Sequence, residues 1–336
     1  MNHTEIKSLK HLANYLRCKE DFLEKAINEE YSVRESTDSR IFGSNSIDVN
    51  KLYIRKKGKN TGFRTVHAVD TIQLQGILIT LNNYLTDIYE PKDCVHGFVA
   101  GRNTKSNAID HLAKKTVLSV DIDDFFESVS KKMIVNGLES IGFNKEVAVW
   151  ISCLTTLNGN LVQGFNTSPT LANIILSDID EELINLCGDT ITYTRYADDL
   201  YFSTNSDLPN IDVIRSIILK HGFRLNEDKT VEMKRGRNQY VTGLTVFDDL
   251  TPRIPKRIKR NLRLEIHKIS QHGYTKHAIR CLKNRGEYEN EDFFGVEISQ
   301  EIIEIQHRLF GWIHYIGSIE PKVSAKLYSK LKNAKR

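Results

Sequence analysis

The chain has 336 residues, with 47 Lys and Arg against 43 Asp and Glu and a formal charge of +4. A 40% hydrophobic fraction supplies a real core and excludes wholesale disorder, and no apolar run approaches the roughly 20 residues of a membrane span. The small net charge hides an asymmetry. Residues 252–336 carry 18 Lys and Arg against 9 Asp and Glu, whereas residues 1–251 carry 29 against 34, which predicts an anionic partner for the C-terminal quarter.

The N-terminus is polar and lacks the apolar stretch of a signal peptide. Cys18, Cys94, Cys153, Cys187 and Cys281 are scattered, with no Cys-x-x-Cys pair. That pattern predicts free thiols in a reducing cytoplasm and argues against a zinc site. Residues 4–29 read as helical, with Leu9, Leu12, Leu16, Phe22, Leu23 and Ile27 at helical spacing. Residues 52–69 read as two short strands around a Lys/Gly-rich turn, and residues 72–88 as a helix. Residues 117–122 form a β-branched strand, and residues 131–157 are mostly helical. Ser168-Pro169 opens a further helix, with Ser168 as its cap and an apolar face through Ala172, Ile175, Ile179, Leu183 and Leu186. Residues 191–205 read as a hairpin, 210–221 as a helix and 241–246 as a strand. Basic amphipathic helices follow from Pro255. This order predicts an α+β fold with an antiparallel sheet.

Asp121 ends an apolar strand, and Asp198 and Asp199 sit at a turn between two strand-like runs. An isolated acidic pair at a turn is commonly just solvated. Carboxylates facing each other across neighbouring strands, however, repel unless a cation lies between them. Their hard oxygens favour Mg²⁺, and two such ions about 3.5–4 Å apart can activate a hydroxyl and stabilise a leaving pyrophosphate.

Three segments, in order, resemble the boxes of reverse transcriptases. Tyr196-Ala197-Asp198-Asp199, after Tyr193-Thr194-Arg195, resembles the YxDD box. Val120-Asp121-Ile122-Asp123-Asp124-Phe125-Phe126 resembles the first catalytic box, and Gln163-Gly164-Phe165-Asn166-Thr167-Ser168-Pro169 the QGxxxSP box between them. The resemblance runs from about residue 50 to at least 246. It implies a right-hand polymerase fold with fingers, an antiparallel-sheet palm and a helical thumb. Residues 1–115 would form N-terminal helices and fingers, 116–246 the palm (with 130–165 contributing to the fingers), and 247–336 a basic helical thumb.

The same resemblance assigns roles. Asp121 and Asp198 are the principal ligands of two Mg²⁺ ions, Asp199 the supporting acid, and the Ile122 carbonyl completes the shell. Phe126 is a gate against the ribose 2′-hydroxyl, so dNTPs are preferred, while Phe125 reads as core. Gln163 packs against the incoming nucleotide, and Gly164 lets the backbone approach it. Lys57 and Arg64, flanking the N-terminal turn with Lys56 and Lys59, are triphosphate candidates; a guanidinium can grip phosphate through two bonds. Lys229, in a segment similar to the family's fourth motif, could protonate the pyrophosphate.

Asn107-Ala108-Ile109-Asp110-His111 matches the NAxxH pattern of retron reverse transcriptases, and Val241-Thr242-Gly243 their VTG motif. His96-Gly97-Phe98 resembles retron and group II intron enzymes. If residues 107–114 are helical, Asn107 and His111 share a face and can offer hydrogen bonds to RNA; without the match they read as a cap and a half-buried His. The retron resemblance implies a specific partner set: a cognate structured noncoding RNA (msr-msd), primed from the 2′-hydroxyl of a guanosine and copied into multicopy single-stranded DNA (msDNA). Host RNase H would remove the copied template, and an effector protein would act with the enzyme in antiphage defence. Lys256, Arg257, Lys259 and Arg260, with the stretches 276–285 and 322–336, suit a nucleic-acid backbone. After the VTG motif the chain holds a helical thumb and little else. Two alternatives stay open: a group II intron-like or other defence reverse transcriptase with different priming, and a noncatalytic RNA-binding scaffold for an effector.

Overall fold

The apolar spacing of the N-terminal residues folds as two helices rather than one. α1 (Leu9–Tyr15) ends just before Arg17, which takes φ +55°, and α2 (Glu20–Asn28) restarts beyond it. The computed structural model describes residues 5–29, 31–35, 47–55, 63–285 and 295–334. β1 (Ser32–Glu35), β2 (Asp48–Arg55) and β3 (Phe63–Val69) form a sheet in that order, parallel between β1 and β2 and antiparallel between β2 and β3. α3 (Ile72–Ile88) buries Leu74, Ile77, Leu78, Leu81 and Leu85, the stripe expected from its spacing.

Next come α4 (Thr104–Ile109), β4 (Thr116–Asp121), α5 (Phe125–Ser128), α6 (Lys131–Ser140) and α7 (Lys145–Thr155). The short ribbon of β5 (Thr156–Leu157) and β6 (Asn160–Leu161) precedes α8 (Ser168–Ile175) and α9 (Ser177–Cys187). β7 (Thr192–Tyr196), β8 (Asp199–Thr204), α10 (Ile211–Lys220) and β9 (Val231–Lys234) follow. The central sheet runs β7-β8-β4-β9, antiparallel where β4 and β7 flank β8. Val117 and Val120 of β4 and Leu200 and Phe202 of β8 are fully buried. Each such side chain contributes about 1.5–3 kcal/mol, so this pair of strands is a rigid platform.

Two expectations change. The helix from Ser168 is two helices that meet at Leu176, and no Gly or Pro marks the break. Ser168 is also not its cap: it is the first helical residue, and its hydroxyl donates to the Val162 carbonyl at 2.6 Å. The 241–246 segment is not one strand but a hairpin of β10 (Tyr240–Val241) and β11 (Leu244–Thr245). Thr242 and Gly243 both take positive φ, as a two-residue turn of this hand requires.

The chain divides into two compact units, Met1–Asn103 with Thr116–Glu232, and Thr104–Lys115 with Met233–Arg336. The sequence division put residues 104–115 with the N-terminal part; here they join the C-terminal unit. Thr242 Oγ1 donates to the Thr104 carbonyl at 2.8 Å, the Ala113 N–H reaches the Val246 carbonyl at 3.1 Å, and Gln239 binds the Lys114 and Lys115 carbonyls. The second unit is completed by α11 (Lys256–Asn284), α12 (Gly295–Ile319) and α13 (Pro321–Lys332). No helix among the described residues is long and apolar enough to cross a membrane.

α11 is broken at Gly273, whose φ of +77° is non-helical, and Glu265 meets His277 across the break at 3.1 Å. Arg308 of α12 donates to both Glu265 oxygens. Burial alone would raise the Glu265 carboxyl, but the bonds from His277 and Arg308 outweigh it and hold it at about 2, below its ordinary 4.5. The pair therefore stabilises the fold fully above about pH 4.5, and this contribution fades as the pH falls toward 2. Glu265→Gln is expected to lower unfolding stability by about 1–3 kcal/mol at pH 7, with the difference shrinking through that acid window in urea titrations.

Candidate active site

Strand register brings the acidic residues together. Asp121, the last residue of β4, lies opposite Asp199, the first of β8. Asp198 is the second residue of the two-residue turn from β7 into β8, and its carbonyl accepts the Ile122 N–H at 3.3 Å. Asp121 is buried, and Asp198 and Asp199 are half-buried. Burial raises both of these carboxyls. The neighbouring Asp198 and Asp121 charges push Asp199 further, to about 7, and Asp121 adds to the rise at Asp198.

Lys229 answers part of that charge, with Nζ at 2.9 and 3.1 Å from the two Asp121 oxygens. The segment carrying it is fastened to the end of β4. The Asn226 N–H donates to the Asp121 carbonyl at 2.9 Å, Asn226 Nδ2 donates to Asp123 at 3.0 Å, and Leu225 bridges Ile122. Partial burial alone would lower the ammonium, but the bond to Asp121 and the aspartate charges raise it. As the side chains stand, no group of three or more His, Cys, Asp or Glu among the described residues is arranged to hold a metal ion. The donor chemistry nevertheless suits one: three crowded carboxylates, all hard oxygen, with the Lys229 ammonium against them.

The remaining candidates in this unit also take defined places. The Gln163 carbonyl accepts the His67 N–H of β3 at 2.8 Å. Gly164, at φ +115°, lies so close to β3 that an added Cβ would stand 2.3 Å from the His67 carbonyl oxygen and 2.7 Å from Val66 Cγ1. Arg64 is exposed two residues before Val66, on the same face of the strand. Phe125 is buried and packs against Phe223 at 5.3 Å between centroids, as its core reading requires, whereas Phe126 is half-buried. Ile122 is buried. Lys57, with Lys56 and Lys59, lies outside the described residues.

Three RNA-contact expectations are corrected. α4 stops at Ile109, so His111 lies in the turn beyond it, and both Asn107 and His111 are fully buried. Direct hydrogen bonds to RNA are closed to them in this conformation. Lys259 is spent inside the fold: its Nζ lies 2.9 Å from both Glu320 oxygens, and that side chain is only 12% exposed. Lys256, Arg257 and Arg260 stay exposed, without an ion pair among the described residues. Lys256 and Arg257 line a cavity of about 1290 Å³ with Arg237 and Arg253, and Arg263, Lys322, Lys326 and Lys330 line another of about 570 Å³.

Residues 54–278 match the family described as reverse transcriptase (RNA-dependent DNA polymerase). The chain belongs to the reverse transcriptase family. Within that family it is similar to the retron Mx65 reverse transcriptase of Myxococcus xanthus, 37% identical over 174 residues (45% of this chain, 40% of that protein). It is 30% identical over 250 residues to the retron Se72 enzyme of Salmonella heidelberg (71% and 62%), and 27% over 280 residues to the retron Ec86 enzyme of Escherichia coli (82% and 77%). The matched part thus spans two-fifths of the Mx65 protein and about three-fifths of the Se72 protein. The mixed helix-and-sheet architecture is the right-hand polymerase fold of this family, which generally works with divalent metal ions.

The residues beneath the acidic turn carry no motif that marks them in the sequence. Arg195 of β7 is fully buried. It donates from Nε and Nη2 to the Asp180 carboxylate at 2.8 and 2.6 Å, and from Nη1 to Asn173 Oδ1 at 2.9 Å and the Ala197 carbonyl at 3.0 Å. Asn173 Nδ2 in turn donates to the Gly97 carbonyl at 3.0 Å. A Cβ on Gly97 would stand 2.2 Å from the Ala197 nitrogen, which explains the glycine of the His96-Gly97-Phe98 segment. A usable signal was present: a charge inside a strand needs a buried partner, and Asp180 shares its helix with the buried Ile179 and Leu183.

Gly164→Ala is expected to lower stability by about 1–3 kcal/mol, because the added methyl meets backbone and the φ is strained. Gly76→Ala in α3, where nothing lies within 4 Å of the new atom, should instead stabilise by about 0.5–1 kcal/mol. Parallel urea titrations check both signs.

Proposed function

We propose that this chain is an RNA-directed DNA polymerase of retron type. The observation that carries this reading is the meeting of Asp121, Asp198 and Asp199 at one end of a buried antiparallel pair, with Lys229 beside them. Its substrates are dNTPs and a cognate structured noncoding RNA, which serves as template and, through the 2′-hydroxyl of a guanosine, as primer. The product is msDNA. A host RNase H removes the copied template, and an effector protein completes an antiphage system in the cytoplasm. Similarity to retron reverse transcriptases supports these finer assignments.

Asp121, Asp198, Asp199 and the Ile122 carbonyl are the groups that would hold two Mg²⁺ ions. When bound, such ions activate the attacking hydroxyl and balance charge on the departing pyrophosphate. The chain's own residues do the rest. Lys229, already raised and hydrogen-bonded at Asp121, holds a proton for the leaving group. Arg64 faces solvent from β3 and can grip a triphosphate through two bonds. Gln163 and Gly164 are held against that same strand, so backbone and triphosphate can come close. Phe126 leans on the core ring of Phe125 at 5.4 Å, and this support keeps it stiff enough to exclude a 2′-hydroxyl.

Two substitutions test the reading. Asp198→Asn should abolish DNA synthesis on the cognate RNA while leaving RNA binding within about twofold, as read by primer extension and filter binding; DNA that still accumulates would overturn the metal-site assignment. Phe126→Ala should reduce discrimination against rNTPs by about 10- to 100-fold, the size of a lost steric contact, measured as the ratio of kcat/KM for a dNTP and its rNTP.

A further inference from the structure

The buried network beneath the acidic turn does more than fill the core. A buried ion pair is a poor source of stability, because desolvation offsets most of the attraction and well-packed apolar residues often do as well. Here the fork of Arg195 is divided. Two of its nitrogens satisfy Asp180 of α9, and the third reaches past that pair to Asn173 of α8 and to the backbone carbonyl of Ala197. Ala197 is the residue before Asp198 and takes φ +58°, a left-handed conformation that an alanine adopts only when its surroundings impose it. Two features impose it. The Arg195 bond fixes the carbonyl, and Gly97, anchored through its own carbonyl by Asn173, closes off the other side of the turn. The β7 backbone is pinned at the same residue, since the Arg195 N–H donates to the Cys94 carbonyl at 2.7 Å and the Arg195 carbonyl accepts the His96 N–H at 2.8 Å.

We infer that Arg195 is a positioning residue for the reaction: through Ala197 it sets the turn that aims Asp198 and Asp199 at Asp121, with Asp180 and Asn173 orienting its guanidinium. α8 begins a few residues after Gln163 and Gly164, so Asn173 also links the nucleotide-facing segment to the acidic turn. The inference rests on the polymerase reading, and its test separates the two.

The primary variant is Arg195→Lys. It keeps a cation opposite Asp180, but one ammonium cannot reach Asp180, Asn173 and Ala197 together. The full chain should still fold cooperatively, with a lowered melting temperature because Asn173 and the Ala197 carbonyl lose their donor. It should lose about 100-fold in kcat for DNA synthesis, the penalty typical of a reacting group displaced by about 1 Å, with KM for dNTP changed less than threefold. Binding of Mn²⁺ to the nucleotide-free protein, followed by electron paramagnetic resonance, should weaken at least about tenfold. Arg195→Met with Asp180→Leu, which removes both charges, provides the second arm and should show the same split. Parental kcat and Mn²⁺ affinity in a folded Arg195→Lys protein or in a folded double variant would overturn the inference and leave Arg195 as core filling. Absence of DNA synthesis by the parent chain on its RNA would instead overturn the polymerase reading, whereas the Mn²⁺ measurement would still report on Arg195.

Discussion

Arg195 and Asp180 place a full positive and a full negative charge where neither touches water. Each ion carries a desolvation penalty of several kcal/mol. The pair is tolerable because almost every polar atom finds a partner: both Asp180 oxygens accept from Arg195, Tyr193 donates to Asp180 Oδ1 at 2.8 Å, and the rest of the fork binds Asn173 and Ala197. Removing any single member strands a charge or a dipole in the interior. The network thus ties α8, α9, β7 and the acidic turn into one object that moves together or not at all. The geometry of the candidate site is tied to that object, since Asp198 directly follows Ala197 on the turn and Asp199 begins the strand after it.

A second constraint is strand register. Side chains alternate faces along a strand, so a one-residue slip of β4 against β8 would turn Asp121 away from Asp199 and drive polar Ser119 and Ser203 into new surroundings. The fully buried Val117, Val120, Leu200 and Phe202 make that slip prohibitive. The core therefore specifies the candidate site directly: the hydrophobic pattern that selects the sheet also selects which carboxylates meet. Burial, with the neighbouring Asp198 and Asp121 charges, raises Asp199 to about 7, and Asp121 leans on Lys229. The site holds excess negative charge against its own repulsion, which is the electrostatic condition for receiving a hard cation.

Much of this was legible in the sequence, and the exceptions share a cause. The α3 stripe, the β4 strand, the hairpin around Asp198 and the antiparallel sheet all follow from local periodicity and turn chemistry. The break at Leu176, the parallel pairing of β1 and the meeting of residues 104–115 with 240–246 are tertiary, and no local pattern announces them. Among the candidate site residues, the meeting of the aspartates was readable because the motifs put them at a strand end and at the adjoining turn. Asn107 and His111 were misread because a motif gives identity without burial: Asn107 lies inside α4, which packs on the β10–β11 hairpin, and His111 is fully buried in the turn that follows it. Arg195 was overlooked because its side chain's three partners, Asp180, Asn173 and Ala197, come from three separate segments.

The charge asymmetry of the C-terminal quarter takes a sharper form at the start of α11. Lys256, Arg257, Lys259 and Arg260 crowd the N-terminal turn of that helix, where the macrodipole is itself positive and each cation costs roughly 0.3–1 kcal/mol. Lys259 recovers its cost through Glu320, which also accepts the Ile254 N–H at 2.9 Å. The other three have no such compensation among the described residues, and neither have Lys322, Lys326 and Lys330, which recur every four residues along α13. Helical spacing sets that ladder at about 6 Å per step, a spacing suited to successive phosphates of one strand. Cations that weaken the free protein and repel one another are consistent with a polyanion supplying the missing charge, and a nucleic-acid backbone releases counterions as it does so. The formal charge of +4 therefore understates how much outward-facing positive charge these two helices carry, since it averages them with the acidic residues of the rest of the chain.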